Sequence, residues 1–228
     1  MGGLLGLTRS TNTSYTMLYN ELYSSGSTTS PVFALYMAED TQQSTIQFGG
    51  YDTTYLKDPA AGIMYLALAD NSLFWNINID AFKVGTNSKL KNGAPNGYYL
   101  TYYSTATLDS GTSLMLVPIE LYQSLMDMIL HDVDTNYKYG YYWVDCTDVG
   151  LESLFILVGN QYLEITPSAY LIKAGNGLCV IGIQQSTDHS WLLGDLFLKN
   201  FCSVWDDSNN AIALAPHKTS ASSALTTN

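Results

Sequence analysis

The sequence predicts an all-β protein with a few short helices. Residues 75–80 alternate strictly between apolar and polar side chains, with Trp75, Ile77 and Ile79 on one face, which is typical of a half-buried strand. Between residues 143 and 183, short apolar runs are interrupted by Gly and Pro, as is usual where strands are joined by turns. The chain has 228 residues, of which 46% are apolar. It is therefore long enough to bury a core as one large β domain or two small domains.

The amino-terminal part predicts one helix followed by two strands. The helix begins at about Ser14 and stops near Gly26, which lies shortly past its end. Its apolar face comprises Tyr15, Leu18 and Leu22. Residues 32–37 and 45–48 are predicted strands, and the polar residues between them predict a turn that makes the two strands a hairpin.

The alternating strand that starts at residue 75 changes phase further along. Phe82 and Val84 carry the apolar face at the opposite parity, so we expect a β-bulge or bend near Asp80 or Ala81. Residues 89–97 are a loop by composition.

Pro118 opens the clearest predicted helix, because Pro is favoured at the start of helices and apolar residues then recur with a 3.6-residue period. The apolar stripe comprises Ile119, Tyr122, Met126, Ile129 and Val133, and we expect it to pack in the core. At the other end of the chain, residues 217–228 are rich in Ser, Thr and Ala, which predicts a disordered tail.

Charge excludes one class of partner. Nine Lys and Arg stand against twenty Asp and Glu, for a net charge of -11. Nucleic acid is an improbable partner, because binding phosphate requires clustered cations, and an anionic membrane surface is disfavoured for the same reason. The scarcity of bases suits an acidic compartment, where self-repulsion stays modest, but it is also common in secreted and vacuolar proteins generally.

No segment approaches the roughly 18 apolar residues of a transmembrane helix. Residues 1–7 lack the basic region and the length of a signal peptide. Two readings stay open: the protein is cytosolic, or its true amino terminus lies upstream of Met1.

One carboxylate stands in an unusual setting. Residues 105–118 read T-A-T-L-D-S-G-T-S-L-M-L-V-P, which predicts a buried strand, a sharp loop carrying Asp109, and a second strand. Gly111 permits a tight turn, and the neighbouring hydroxyls can hold a carboxylate in one orientation. Taken alone, these residues favour an ordinary Asx-type turn between strands, because Asp, Ser and Gly are good turn formers.

The stretch A-T-L-D-S-G-T-S-L around Asp109 resembles the second active-site loop of the pepsin-like aspartic peptidases. Four further stretches agree with that family in the expected order, at residues 2–7, 31–37, 46–52 and 191–201. The resemblance covers nearly the whole chain, but it corresponds to only about the second half of such a protein.

The resemblance implies a mainly antiparallel fold, the carboxy-terminal lobe of a bilobal protease whose amino-terminal lobe is largely missing. We expect residues 1–55 to be a remnant of the amino-terminal lobe with the inter-lobe hairpin. Residues 56–216 form the catalytic lobe in this reading. The rest of the first lobe is expected upstream of Met1.

The resemblance also implies the site residues. Asp109 is one of two catalytic aspartates, supported by Ser110, Gly111 and Thr112. Ser110 stands where the family usually has Thr, whose hydroxyl bonds to the opposite lobe. Gly111 approaches the substrate backbone, and the side chain of Thr112 hydrogen-bonds to the aspartate. Asp195 is a structural residue in the family.

Cys146 and Cys179 match a disulfide of the family's carboxy-terminal lobe, which leaves Cys202 as a buried thiol that packs like a small apolar side chain. The sequence has no CxxC or grouped Cys and His, so no metal site is predicted, and no cofactor either. His131, His189 and His217 are scattered without a Gly-x-Ser-x-Gly context, which gives a serine-hydrolase triad no support.

The family pairs each Asp loop with a later apolar-apolar-Gly strand. Residues 4–6 and 192–194 supply two such strands here, yet the Asp-Ser-Gly loop occurs once. The prediction is therefore an aspartic endopeptidase, secreted or vacuolar/lysosomal, that acts on polypeptides in acid and carries one of its two catalytic carboxylates. Activity of this chain alone is not expected.

Two alternatives stay open. The chain is a non-catalytic derivative that binds peptides or proteins in its half-cleft, or it is an obligate homodimer in which two copies of Asp109 meet. Without the first lobe, residues 4–7 and the inter-lobe hairpin would expose strand edges and apolar surface, which predicts poor solubility when the fragment is expressed alone.

Overall fold

The computed structural model describes residues 4–10, 16–38, 44–85, 99–131, 133–147 and 150–226. The four α-helices within these ranges are α1 (Leu18–Ser24), α2 (Ile119–Ile129), α3 (Pro167–Tyr170) and α4 (Asp195–Leu198). A short 3-10 helix covers Thr53–Tyr55.

The strands in the first two thirds of the chain are β1 (Val32–Tyr36), β2 (Thr45–Phe48), β3 (Met64–Ala67), β4 (Asn76–Val84), β5 (Tyr99–Leu108), β6 (Met115–Val117), β7 (Asn136–Lys138) and β8 (Tyr141–Asp145). Those in the last third are β9 (Leu154–Val158), β10 (Gln161–Ile165), β11 (Leu171–Gly175), β12 (Leu178–Ile181), β13 (Ile183–Gln185), β14 (Trp191–Leu193), β15 (Phe201–Asp206), β16 (Ala211–Pro216) and β17 (Ala224–Thr226).

These strands form three sheets. The largest has eight strands in the order β13-β6-β14-β5-β4-β9-β10-β17, the second has the order β2-β1-β15-β16-β3, and the third has the order β11-β12-β8-β7. Neighbouring strands are antiparallel except for the β6–β13 and β5–β14 pairs, which are parallel. The predicted all-β, mainly antiparallel fold is confirmed.

The eight-stranded sheet carries a crossing that matters for the site. Strand β14, late in the chain, lies between β5 and β6, pairing in parallel with β5 through Leu193↔Leu108 and antiparallel with β6 through Leu193↔Met115. The loop that joins β5 to β6 therefore passes over the end of β14. All three paired residues are buried, so the core fixes this crossing.

The predicted bulge is present. The register between β4 and β5 shifts between Ile79 and Ala81. Ile77 and Ile79 are buried before the shift, and Ala81 and Phe82 are buried after it. One extra residue thus keeps the apolar side chains on the core side of the sheet despite the change in parity. The loop predicted at residues 89–97 lies outside the described residues.

The strongly periodic helix is also confirmed. In α2, Tyr122, Met126 and Ile129 are buried as expected, together with Leu125, whereas Ile119 is 47% exposed at the helix start. Helix α2, with 11 residues, is the longest described. None of the described helices is long and apolar enough to cross a membrane.

The first helix differs from its prediction. It begins at Leu18, and its buried residue is Tyr19, whereas Leu18 is 37% exposed. The ring of Tyr19 packs on Phe33 with centroids 5.4 Å apart, and its hydroxyl donates to the carbonyl of Thr8. Burial follows this tertiary contact rather than the apolar pattern of the helix. The predicted start at Ser14, with Tyr15, lies outside the described residues.

The predicted hairpin of β1 and β2 belongs to the second sheet. Strand β1 pairs with β2 on one side and with β15 on the other, so strands from the two ends of the chain share one sheet. Phe33, Trp75 and Trp205 pack together across this junction, with Phe33 stacked on Trp205 at 5.5 Å and Trp75 edge-on to Trp205 at 5.3 Å. The described part of residues 1–55 is thus joined to the rest of the chain by backbone hydrogen bonds between β1 and β15 and by a shared aromatic core.

The prediction of a disordered tail from residue 217 is wrong for the part that the structure describes. His217 is 3% exposed, Ser222 is fully buried, and β17 pairs with β10 through Leu163↔Ala224. The ammonium of Lys57 donates to backbone carbonyls of this segment. Disorder was predicted because a polar segment has little apolar surface to bury. This segment is ordered nevertheless, because its backbone pairs with the edge strand of a sheet.

The cysteines follow the prediction. A disulfide joins Cys146 to Cys179, tying the end of β8 to β12. Cys202 is a free thiol, fully buried, whose Sγ lies 3.3 Å from the carbonyl of Tyr55. Burial raises the pKa of the Cys202 thiol to about 12, so this side chain stays protonated and behaves as an apolar one.

Candidate active site

The aspartate loop, residues 109–113, connects β5 to β6 and rests on the end of β14. The amide of Asp109 donates to the carbonyl of Leu193 at 3.1 Å, and the amide of Asp195 donates to the carbonyl of Thr112 at 2.7 Å. Both ends of the loop are therefore held by the strand that crosses beneath it. The loop carries its carboxylate at the edge of a rigid sheet.

The carboxylate of Asp109 is held by its own loop. Its Oδ1 accepts from the amide of Gly111 at 2.8 Å, and its Oδ2 accepts from the hydroxyl of Thr112 at 2.7 Å. One donor on each oxygen fixes the plane of a half-buried carboxylate. A Cβ at Gly111 would lie 3.0 Å from Oδ1, so glycine leaves room for this arrangement. The hydroxyl of Ser110, an exposed residue, has no hydrogen-bond partner among the described residues.

Close contact between strand and loop depends on a second glycine. A Cβ on Gly194 would lie 2.1 Å from the carbonyl oxygen of Thr112 and 2.4 Å from that of Leu114, distances that any side chain would violate. The equivalent glycine near the amino terminus is different. A Cβ on Gly6 would meet no atom within 4 Å, and the preceding Leu4 is 96% exposed. One of the two apolar-apolar-Gly elements is packed under an aspartate loop, and the other is open.

A groove of about 670 Å³ runs past the aspartate loop, and Asp109, Ser110 and Gly111 line it. One wall comprises residues 4–8 together with Phe74 and Trp75. The indole Nε1 of Trp75 donates to the carbonyl of Leu7 at 2.8 Å and so ties this wall to β4. A mostly apolar groove of this size with a fixed carboxylate is suited to bind an organic ligand such as a peptide.

The other wall is a turn between β13 and β14, where Ser186, Asp188 and Ser190 line the groove. Hydrogen bonds from the backbone amide and the hydroxyl of Ser190, and from Ser186, lower the pKa of Asp188. Sequence reasoning did not single out Asp188. The only available signal was an acidic residue three positions before a predicted strand, which is ordinary for a turn.

Asp195 lies beneath the loop and not on the groove. Burial raises the pKa of Asp195, and the charge of Asp109 raises it further. Its buried Oδ1 has no hydrogen-bond partner among the described residues. Both effects disfavour the charged form of Asp195 and favour its protonated form. Because it does not face the groove, Asp195 is not placed to donate that proton to a ligand there.

The remaining candidate groups are dispersed. Within the described ranges, no three His, Cys, Asp or Glu side chains come together as metal ligands would. His189 lies 2.9 Å from Glu120 on the surface, whereas His217 is buried near the carboxy terminus. Asp109 and its neighbours are therefore the group with a defined chemical setting. An oriented carboxylate in a groove can accept a proton from a bound water molecule.

Comparison with known proteins agrees with this geometry. The family model described as eukaryotic aspartyl protease matches residues 1–217. The chain is 30% identical over 199 residues to gastricsin from Macaca fuscata fuscata, an alignment that covers 83% of this chain and 48% of that protein. Human gastricsin is also 30% identical, and gastricsin from Callithrix jacchus is 29% identical; each alignment covers 83% of this chain and 47% of the relative. The chain thus spans about half the length of the curated relatives it matches.

Proposed function

The chain belongs to the eukaryotic aspartyl protease family, and from this premise we propose that it forms the carboxy-terminal part of an acid endopeptidase to which it contributes one catalytic carboxylate, Asp109. The observation that carries the proposal is the setting of that carboxylate. It stands in a groove, with the amide of Gly111 on one oxygen and the hydroxyl of Thr112 on the other. Such a group is ready to receive a proton without reorganising first.

Peptide hydrolysis by this route needs two carboxyl groups around one water molecule. Two close carboxylates cannot both ionise easily, so one retains its proton in acid. The ionised carboxylate takes a proton from water, and the protonated carboxyl group donates to the carbonyl oxygen of the scissile bond. Asp109 alone supplies half of this chemistry. The polypeptide substrate and its cleavage are therefore proposed for an assembly that includes a second carboxylate.

We place the second carboxylate on a lobe that precedes residue 1. The open element at residues 4–6 supports this, because it has the pattern of the packed element at residues 192–194 but no aspartate loop against it among the described residues. The groove-facing hydroxyl of Ser110 supports it as well, since a second lobe would provide its hydrogen-bond partner. Residues 1–55 then belong with that lobe and the inter-lobe hairpin, and residues 56–216 with the catalytic lobe.

We also propose a secreted or vacuolar/lysosomal location. The disulfide between Cys146 and Cys179 supports it, because disulfides persist in oxidising compartments. The acidic composition is compatible with work at low pH.

The direct test uses the native protein and two variants. Intact-mass measurement of the protein from its source determines whether a preceding segment is present. Hydrolysis of an unfolded protein substrate is then measured in acid for the native sequence, for Asp109→Asn, and for Asp127→Asn, a matched control that removes an exposed carboxylate from α2. We expect Asp109→Asn to reduce turnover by roughly 100- to 10,000-fold. Unchanged turnover in Asp109→Asn would refute the proposed role.

A second function deserves a test because the chain holds a single Asp-Ser-Gly loop. A protein that only binds peptides in the groove would bind them equally well before and after Asp109→Asn and would show no hydrolysis in acid. Acid hydrolysis that depends on Asp109 removes this alternative.

A further inference from the structure

The groove has a pronounced charge asymmetry. Two carboxylates line it, Asp109 at the loop and Asp188 on the turn between β13 and β14. None of the described residues that line it is Lys or Arg. The single arginine of the chain, Arg9, lies behind the wall with its guanidinium bound to Asp207. A ligand in this groove therefore meets negative charge without a compensating cation from the walls.

Asp188 is built into its turn. Its Oδ1 accepts from the hydroxyl of Ser186 at 2.9 Å, and from the amide and hydroxyl of Ser190 at 3.0 and 2.8 Å. The amide of Ser186 donates to Val117 at 2.7 Å, and the amide of Ile119 donates to the carbonyl of Asp188 at 3.3 Å. These bonds anchor the turn to β6 and α2. The carboxylate is consequently preorganised rather than a freely rotating surface group.

The second oxygen of Asp188 remains accessible. Oδ2 has no hydrogen-bond partner among the described residues, and the side chain is exposed. The three hydrogen bonds to Oδ1 lower the pKa of Asp188, so the group stays ionised in acid to a lower pH than an ordinary aspartate. The adjacent His189 does not cover it, because that ring lies 2.9 Å from Glu120 at the start of α2.

The sheet register places the start of β14 relative to Asp109. Trp191, where β14 begins just after the turn, lies opposite Ala106, three residues before Asp109 in the chain. At about 3.3 Å per strand residue, Trp191 lies roughly 10 Å from Asp109 along the strands, and the turn that carries Asp188 precedes Trp191. An extended peptide advances by about the same length per residue. A substrate extended along these strands with its scissile bond at Asp109 therefore reaches the turn with a residue three or more positions away.

We propose that Asp188 is a specificity-determining residue that selects a Lys or Arg side chain three or more residues from the scissile bond. The inference rests on the proposed endopeptidase function and adds a substrate class to it. A cationic side chain donates a charge-assisted hydrogen bond to the accessible Oδ2. An apolar side chain makes no such bond and leaves Oδ2 hydrated, and an acidic side chain is repelled by the carboxylate.

The test uses matched peptides and the native protein. A set of fluorogenic peptides carries Lys, norleucine or Glu at each position roughly three to six residues from the cleaved bond, with the rest of the sequence unchanged. Norleucine matches the length of the Lys stem without its charge. For the native sequence we expect Lys to exceed norleucine by roughly 3- to 10-fold in kcat/KM at one of these positions, with Glu below both.

Three variants separate specificity from structure. Asp188→Asn is expected to equalise the kcat/KM values of the Lys and norleucine peptides, because the neutral amide that replaces the carboxylate no longer selects a cation. Asp188→Glu keeps the charge and is expected to retain a Lys preference, and Asp127→Asn serves as the surface-charge control. The native preference is also expected to shrink at high ionic strength, because the carboxylate is exposed.

The outcomes distinguish the two proposals. Equal cleavage of the Lys and norleucine peptides at every position, with hydrolysis still dependent on Asp109, overturns the role of Asp188 alone. A Lys preference that survives in Asp188→Asn also overturns it. Absence of any hydrolysis dependent on Asp109 overturns the proposed function and this inference with it.

Discussion

Replacement of Arg9 by Met tests how the amino-terminal segment is held against the rest of the protein. The Arg9 side chain is fully buried. Its Nε donates to Asp207 at 3.0 Å, and its two Nη groups donate to the carbonyls of Asp70 and Ser72 and to the side chain of Asn210, at distances from 2.5 to 3.2 Å. A single guanidinium thus satisfies four acceptors on two separate loops.

The expected loss of stability follows from what the substitution leaves behind. Met keeps the apolar stem of the side chain and removes every donor. The carboxylate of Asp207, which is 7% exposed, then remains buried without its cation. Removing one partner of a buried ion pair costs about 3–5 kcal/mol, because the other charge is left uncompensated. The hydrogen bonds that Asp207 still receives from Ser10 favour the lower half of that range.

Urea unfolding at neutral pH, followed by the fluorescence of the buried Trp75 and Trp205, measures this loss. The control is Lys173→Met, which removes an exposed cation and should change the free energy of unfolding by less than about 0.5 kcal/mol. Arg9→Lys should lie between the two, since an ammonium cannot reach all four acceptors. A loss below about 1 kcal/mol in Arg9→Met would refute the view that this pair holds the segment.

The same pair has a pH signature. Burial by itself raises the pKa of Asp207, but hydrogen bonds from Ser10 and the guanidinium of Arg9 outweigh it, so the pKa is lowered overall. A carboxylate with a lowered folded pKa stabilises the protein above its unfolded pKa of about 3.9 and loses that contribution as pH falls through the folded pKa. The penalty of Arg9→Met should therefore be largest near neutrality and shrink in acid, where Asp207 takes up a proton.

Three other substitutions have defined outcomes. Replacing Cys146 and Cys179 by Ala opens a 33-residue loop and should lower the free energy of unfolding by about 3–4 kcal/mol in denaturant titrations, whereas a loss under 1 kcal/mol would argue against a constrained unfolded chain. In the 228-residue chain expressed by itself, Gly194→Ala forces a methyl group into a backbone carbonyl of the aspartate loop and should cost about 3 kcal/mol or more. Gly6→Ala meets no atom within 4 Å in that chain and should change the free energy of unfolding by less than about 0.5 kcal/mol, so similar values for the two substitutions would contradict this packing. Asp195→Asn should raise the urea midpoint at pH 7 and leave it nearly unchanged near pH 3. The pKa of this buried carboxyl group is raised in the folded protein, so Asp195 destabilises the fold only at pH values above the pKa of an unfolded aspartate. An equal effect of the substitution at both pH values would contradict this explanation.

The strongest local signals in the sequence predicted their elements correctly. The phase slip after Ile79 predicted the bulge, and the 3.6-residue period after Pro118 predicted α2. In both elements, the apolar pattern extends over several residues, and most of its apolar side chains are buried. The period of such a pattern predicts the type of element. Weak signals failed. Tyr19 rather than Leu18 is buried in the two turns of α1, because one aromatic contact outweighs a short pattern.

The candidate site divides in the same way. The orientation of the Asp109 carboxylate could be predicted from the sequence, because both of its hydrogen-bond donors, Gly111 and Thr112, lie within three residues of it. The other wall of the groove depends on residues far apart in the chain. Asp188 lies on the groove because β14 crosses between β5 and β6, and no local pattern in the sequence indicates that crossing.

The fold class, the family resemblance and the aspartate of the candidate site were predicted from the residues, because all three depend on short-range patterns. The buried Arg9–Asp207 pair, the order of the segment after His217 and the position of Asp188 on the groove are found only in the folded protein. Each of these depends on contacts between residues distant in the chain. Buried backbone groups and charges form hydrogen bonds and ion pairs when the chain folds, but local composition does not predict which distant residues supply the partners.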